Sequence, residues 1–483
     1  MITRRTVFTA LLLITTASPA LAAATAEGAA KITSALQAYL TAEPGVVTVT
    51  PGGETYGLKI DFAPLLAKAK QEDFSGSFTP LVMTLTEQGG GKWKVDQDQA
   101  VEFNFKGGGI ADISGKVGSY KGTGIFDEAL GYFETSSGTL TGFSYNQVIT
   151  PPGEGTQTVA YNIDLMTYSS EMNAAAGDSA DGEAHYSATG ISEIVSIPAN
   201  PKGGMPQMDL NVTLASMVQD NSIKGMKFKP LASVLAFLVA HPSKDLIVKD
   251  QSVLKDLLRN AIPLWTRVEA TMSGESFNVA SPFGKFGAAK MTFNAAMNGI
   301  VNDGYFREAF GVEGFTAPAA LIPPWATDLV PTSAAIDFEV SGFDLASPAG
   351  MILDNLDLSK DPPLPKDMEQ QLLSALLPQG IVKLGLGPSF IFNKLASLGF
   401  KGSMTAGPMA NPAGEATVTL AGYDALLSAI QAIPAEMGMG QMLPMMMMAK
   451  GMSKTGESGA LVWEIKSTPE GSVTINGVDP AKM

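Results

Sequence analysis

Gly177-Asp178-Ser179, with His185 six residues further on, invites a serine-hydrolase reading, because acyl transfer needs a hydroxyl, a base and an orienting acid. The spacing departs from G-x-S-x-G, since the second glycine, Gly182, comes one position late. Asn173, the alanines 174–176 and Asp181 surround it, the composition of a polar loop between strands. Gly89-Gly90-Gly91-Lys92 runs into Trp93 and lacks the serine or threonine of a phosphate loop, so it predicts a hairpin turn. Asp96 with Asp98, and Asp354 with Asp357 and Asp361, follow no calcium-loop order and predict solvated faces. No catalytic residue and no metal site is expected.

Composition narrows the chemistry further. The 483 residues contain no cysteine and two histidines, His185 and His241, which leaves too few ligands for His-rich or Cys/His zinc sites and no thiol nucleophile. No cofactor is expected. A formal net charge of −15 repels phosphate backbones and argues against nucleic acid as a partner.

One segment stands apart. Met437, Met439, Met442, Met445, Met446, Met447, Met448 and Met452 crowd into sixteen positions. Three readings are open: a packed helix, an adaptable apolar surface for a lipid or partner, and a soft thioether site for copper(I). Gly438, Gly440 and Pro444 argue against a long regular helix. Met437 to Met448 are taken as the tentative ligand-binding residues.

The elements that would position such a surface are mostly strands. Val101, Phe103 and Phe105 alternate with polar neighbours, as do Met208, Leu210, Val212 and Leu214, and Leu461, Trp463 and Ile465. Val159, Tyr161, Ile163 and Leu165 predict one face of a further strand. Amphipathic helices interrupt them: one from Pro230 with Leu231, Val234, Leu235 and Leu238 on its buried side, ended by His241-Pro242; one capped by Asp250 with Val253, Leu254, Leu257 and Leu258; and others after Asp367 and Asp424. Gly342-Phe343-Asp344 and Gly422-Tyr423-Asp424 each follow a strand and predict an Asp-capped helix.

The first residues read as an export leader: Arg4 and Arg5, an apolar run from Val7 to Ile14, and Ala20-Leu21-Ala22, with cleavage expected after Ala22. The mature chain is expected in the periplasm, without a membrane-spanning segment. The organisation predicted is a leader over 1–22, a β-rich region over 23–205, and a sheet-plus-helix region over 206–483 with a sub-boundary near 361–366.

His241-Pro242, Ala261-Ile262-Pro263-Leu264, Pro323-Pro324-Trp325, Ser341-Gly342-Phe343-Asp344-Leu345, Trp463-Glu464-Ile465 and Asn476-Gly477-Val478 together resemble a bacterial family of exported proteins known as a domain of unknown function. More distantly the pattern is similar to AsmA-type envelope proteins. The first resemblance implies an envelope protein with no assigned catalytic residue; the second implies groove-forming curved sheets associated with lipids. The fold class expected is therefore α+β, β-rich, with extended curved antiparallel sheets partly covered by amphipathic helices. The function expected is non-enzymatic: binding a lipid or apolar small molecule, or supporting envelope assembly with a protein partner. The alternatives are a scaffold with a filled core, an envelope hydrolase, and a copper(I) carrier.

Overall fold

The computed structural model of the chain describes residues 23–68, 74–153, 155–199, 206–408, 410–434, 437 and 442–480. The expected leader and Met439 lie outside the described residues.

Alternation produces strands almost throughout. They are β1 (Val47–Gly52), β2 (Thr55–Ile60), β3 (Phe74–Phe78), β4 (Leu81–Gly89), β5 (Lys92–Gly107), β6 (Ala111–Asp127), β7 (Tyr132–Ile149), β8 (Gln157–Ala174), β9 (Ala180–Ile197) and β10 (Met208–Met226). After a helical insertion come β11 (Arg267–Ser281), β12 (Gly284–Asn298), β13 (Gly304–Glu313), β14 (Ser333–Phe343), β15 (Val382–Phe392), β16 (Ser397–Gly407), β17 (Ala410–Ala421), β18 (Lys454–Thr455), β19 (Leu461–Ser467) and β20 (Val473–Ile475). All belong to one antiparallel sheet that does not close on itself. From β5 to β17 each strand pairs antiparallel with the next in the chain, through short turns at most connections and through helical or long segments at β10–β11, β13–β14 and β14–β15. The β4–β5 turn uses the glycine run foreseen there, with Gly89, Gly90 and Gly91 all at positive φ. β1 and β2 continue the sheet through β4 at one edge, and β19 with β18 and β20 ends it at the other. Both edges are blunted, β1 by Pro51 and the far edge by the brevity of β18 and β20.

The helices are α1 (Ala26–Gln37), α2 (Ala63–Lys68), α3 (Phe228–Ala240), α4 (Lys244–Lys249), α5 (Gln251–Ala261), α6 (Ala346–Asn355), α7 (Glu369–Leu376), α8 (Tyr423–Gln431) and α9 (Met442–Gly451). Two small cores form where helices lie on the sheet. Ala29, Ile32 and Leu36 of α1 pack with Val47, Tyr56, Leu58 and Leu85 at the β1 edge. Leu426 and Leu427 of α8 and Met446 and Ala449 of α9 pack with Leu420, Tyr423 and Trp463 at the opposite edge. α3 and α5 pack on each other, as do α5 with α6 and α6 with α7, in the connections that leave the same end of the strands. Arg259 of α5 bridges to Asp354 of α6.

Several helical expectations need correction. On α3 the fully buried side chain is Phe237, stacked on His241, while Leu235 and Leu238 are exposed. Asp250 precedes α5 but its carboxylate engages His241 Nε2 at 3.0 Å in place of the helix end. Val253 is exposed. Asp424 sits inside α8, behind a left-handed Gly422, and pairs with Lys450.

Asp344 does cap its helix. Its carboxylate accepts the Ser347 amide at 2.9 Å and the Ser347 hydroxyl at 2.6 Å, and Asn302 adds a third donor. Burial alone would raise this carboxyl, but the hydrogen bonds from Ser347 and Asn302 outweigh it and hold it below the ordinary carboxylate range. A depressed folded value contributes stability above the unfolded pKa and loses it as pH falls through the folded one. Asp344→Ala should therefore cost about 1 kcal/mol at neutral pH and flatten the loss of stability below about pH 4, read as urea midpoints across an acid series.

A crease crosses the sheet. Between β6 and β7 the ladder skips Gly118 and Gly142; between β7 and β8 it skips Gly142 and Asp164. It passes Asp164 and Gly190 between β8 and β9, then Ala215 opposite Gly190, then Ser276 on β11 and Ala289 on β12. A register shift between Gln99 and Val101 begins the line on β5. Gly142, Gly190 and Ser276 have positive φ, so every second strand turns over at the line.

The crease inverts the pleat, and one expectation fails because of it. Val159, Tyr161 and Ile163 keep their shared face, but below Asp164 that face is taken up by Met166, Tyr168 and Met172, opposite Ala188, Tyr186 and Gly182, while Leu165 is exposed. On β10 Leu214 lies over Gly274, which stands opposite Met217, so an even and an odd position share one side. Gly190→Ala should destabilise by about 1–2 kcal/mol, since its added Cβ meets the Asp164 carboxylate at positive φ. Ser276→Gly should gain on the order of 1 kcal/mol by the same logic. Denaturant titration of both variants checks the pair.

Candidate functional site

Register places like with like across many strands. Met272, Phe293, Phe310 and Ile336 stand opposite one another in succession on β11 to β14. The next row on this side runs Ala270, Ala295, Glu308, Phe338 and Leu386, with Glu308 exposed as its one charge, and the row beyond it runs Val268, Met297, Phe306, Val340, Leu384 and Met404 on β11 to β16. The same side of the sheet carries Tyr120 and Tyr168, whose hydroxyls meet at 2.7 Å, with Tyr186 beside Tyr168. Burial first, and then the hydrogen bond with Tyr120, push the Tyr168 phenol well above its usual range. Above the crease this side presents Phe103, Phe105, Phe143 and Tyr161.

This apolar face is sealed only at its ends. α1 covers it at β1 and β2, and α8 with α9 cover it at β17 and β19. Between them large apolar side chains meet solvent: Phe310 is 43% exposed, Ile336 50% and Phe338 39%. In a filled sandwich such positions would be buried against a second layer. All twenty strands belong to this one open sheet, and these positions stay open to solvent.

The opposite face is mainly polar, although it carries exposed Leu165 and Ile194. A row of Ser137, Ser169, His185, Asp220, Thr271 and Asn294 crosses β7 to β12. Its members from Ser137 to Thr271 line a recess of about 730 Å³ together with Glu171, Glu183 and Glu269. His185 Nδ1 lies 2.6 Å from Asp220 Oδ1, both on the surface. Ser179, the serine singled out from sequence, is elsewhere: its hydroxyl donates to the Ala176 carbonyl at 2.7 Å, and it does not line the recess. Ser169, directly opposite His185, is the serine that register brings up, and only long-range strand pairing reveals it. Its neighbours' backbone N–H groups are committed to the ladders, which leaves no preorganised pair for an oxyanion.

The acidic groups singled out from sequence are engaged singly. Asp96 meets Lys94 and Thr123, Asp98 meets Lys121, Asp354 meets Arg259, and Asp357 meets Lys360 and Ser359. Among the described residues no group of three or more His, Asp or Glu is placed to hold a metal ion.

The methionine segment forms a ten-residue helix, α9, with Pro444 in its first turn, where a missing N–H costs nothing. Met446 and Met452 turn inward onto the Trp463 core. Met437, Met442, Met445, Met447 and Met448 are exposed, Met448 at 63%. The packed-helix reading therefore holds for two methionines and fails for five. Sequence reasoning found this cluster by composition and missed the Phe310–Ile336 rows, whose members come from separate strands.

No family model, curated protein or solved structure matches the chain. Among the described residues, no helix is long and apolar enough to cross a membrane.

Proposed function

We propose that this chain is an exported, non-enzymatic envelope protein that binds a lipid or another apolar ligand on the uncovered apolar face of its sheet. The observation that carries the reading is the group of half-exposed Phe310, Ile336 and Phe338 in largely apolar rows broken by Glu308, between two edges that helices do seal. Contiguous exposed apolar surface of this kind marks an interaction site. Acyl chains suit it because they need no hydrogen bonds, and the face offers mostly side chains without donors or acceptors. The export part of the proposal rests on the leader pattern through Ala22, and the envelope part on the resemblance to exported proteins and AsmA-type sheets. Curvature of the sheet around the ligand belongs to the same proposal.

The test is native mass spectrometry of chain exported in cells and purified without detergent, with lipid extraction of the same sample. A reproducible apolar adduct is expected. A clean apo mass with an empty extract would overturn the reading and favour a protein-partner scaffold.

The exposed side of α9 offers a further apolar surface at the β19 end of the sheet. Replacing Met445, Met447 and Met448 with leucine should leave lipid retention unchanged, since apolar area is conserved. Anaerobic copper(I) retained by the parent and lost from that variant would instead establish thioether ligation.

A further inference from the structure

We infer that the crease is a hinge, about which the panel of the sheet above it pivots relative to the sheet below. The panel comprises β3 and the adjoining halves of β5 to β12; β13 stops at the line, where Gly314 lies against Ala289. Three features at the line favour pivoting. The register is interrupted at an aligned position on every neighbouring pair from β5 to β12, so regular cross-strand pairing does not run unbroken from one half of the sheet into the other. Small residues dominate it: Gly118, Gly142, Gly190, Ala215 and Ala289 present little bulk to obstruct bending. Glycine at positive φ, as at 142 and 190, also has neighbouring backbone conformations open to it that other residues lack. Hinges are a few such positions that absorb changes in φ and ψ while rigid elements move as bodies.

Because the pleat inverts at the same line, both halves turn their apolar side the same way. Pivoting therefore changes the angle between two apolar surfaces, one carrying Phe103, Phe143 and Tyr161 and the other Tyr168, Phe293 and Phe310. Closing that angle would shield an apolar ligand from water. This last link rests on the proposed function; the hinge itself does not.

The chain lacks cysteine, so introduced pairs can be spin-labelled without background. Thr135→Cys with Asn146→Cys places labels on exposed positions either side of Gly142, about 36 Å apart along β7. Thr135→Cys with Glu269→Cys is the control, both lying below the crease on one cross-strand row. Pulsed electron paramagnetic resonance of the free protein should show a broad or two-component distance distribution across the crease and a narrow one for the control. Hydrogen exchange should be faster at 142, 164 and 190 than three residues to either side. Equally narrow distributions with uninterrupted exchange protection would overturn the hinge. Oleate is the ligand probe. Narrowing of the crease distribution on oleate binding supports closure, whereas bound oleate with an unchanged distribution removes closure. Failure of oleate to bind counts against the proposed function, and the free-protein width still decides the hinge.

Discussion

Phe310→Asp combined with Ile336→Asp is expected to abolish lipid retention while the fold survives. The two side chains are direct cross-strand neighbours at the centre of the uncovered face. At 43% and 50% exposure they give about half their area to the protein's own packing, so the double variant should lose a few kcal/mol of stability at most, a cost that the folding control measures. A ligand lying on them buries the remainder. Burying a whole side chain of this kind is worth about 1.5–3 kcal/mol and the ligand covers roughly half of each, so losing both should weaken binding by about 10- to 100-fold. The carboxylates add a desolvation cost wherever an acyl chain would cover them. The measurement is the lipid content of purified variant against parent, with thermal unfolding as the folding control. Full lipid content in a folded variant would remove this face from the proposed function. The converse control is Thr271→Asp, on the polar face of the same strand pair as Met272, which should leave lipid content unchanged.

Trp463→Ala should produce the largest loss of stability. The indole is 9% exposed, its Nε1 donates to the Ala449 carbonyl at 2.7 Å, and it anchors α9 on β19 beside Leu420 and Tyr423. Truncating a buried tryptophan costs about 3–5 kcal/mol, against a total of only about 5–15 kcal/mol for an ordinary domain. Because the C-terminal core is small and far in sequence from the α1 core, the loss should appear first as local release of α8, α9 and β19. Hydrogen exchange resolved along the chain should show protection lost at 423–467 before 47–60. Trp463→Phe keeps most of the apolar area and removes one of the two donors to the Ala449 carbonyl, which retains the Met452 amide, so it should cost about 1 kcal/mol. Uniform loss of protection along the whole sheet would mean that the two cores are coupled more tightly than their separation suggests.

Strand identity was legible because period-two alternation is local: Val101 to Phe105 and Leu461 to Ile465 read as strands and are strands. The glycine turn at 89–91 and the Asp344 cap were legible for the same reason, each depending on a few adjacent residues. The methionine cluster was visible as composition, but its division into inward Met446 and outward Met448 was not, since that depends on where Trp463 lies.

What lay beyond the sequence was everything set by pairing between distant strands. Leu165 seemed to share a face with Ile163 because alternation assumes an unbroken pleat, and only the line of Gly142, Asp164 and Gly190 across three strands shows where the pleat inverts. Ser179 drew attention through its neighbours in the chain, whereas the serine facing His185 is Ser169 on the strand before. The Phe310 and Ile336 surface has no motif at all, being assembled one residue per strand. By itself the sequence determined the strands, their turns, the apolar and polar sides within each unbroken run, and the lack of thiol chemistry, because these follow from residue type and short-range geometry. Tertiary structure decided that the strands make one open sheet, that its apolar sides join into a single face, and that helices seal only its ends. Those outcomes depend on register and on contacts between residues far apart in the chain, which local patterns do not encode.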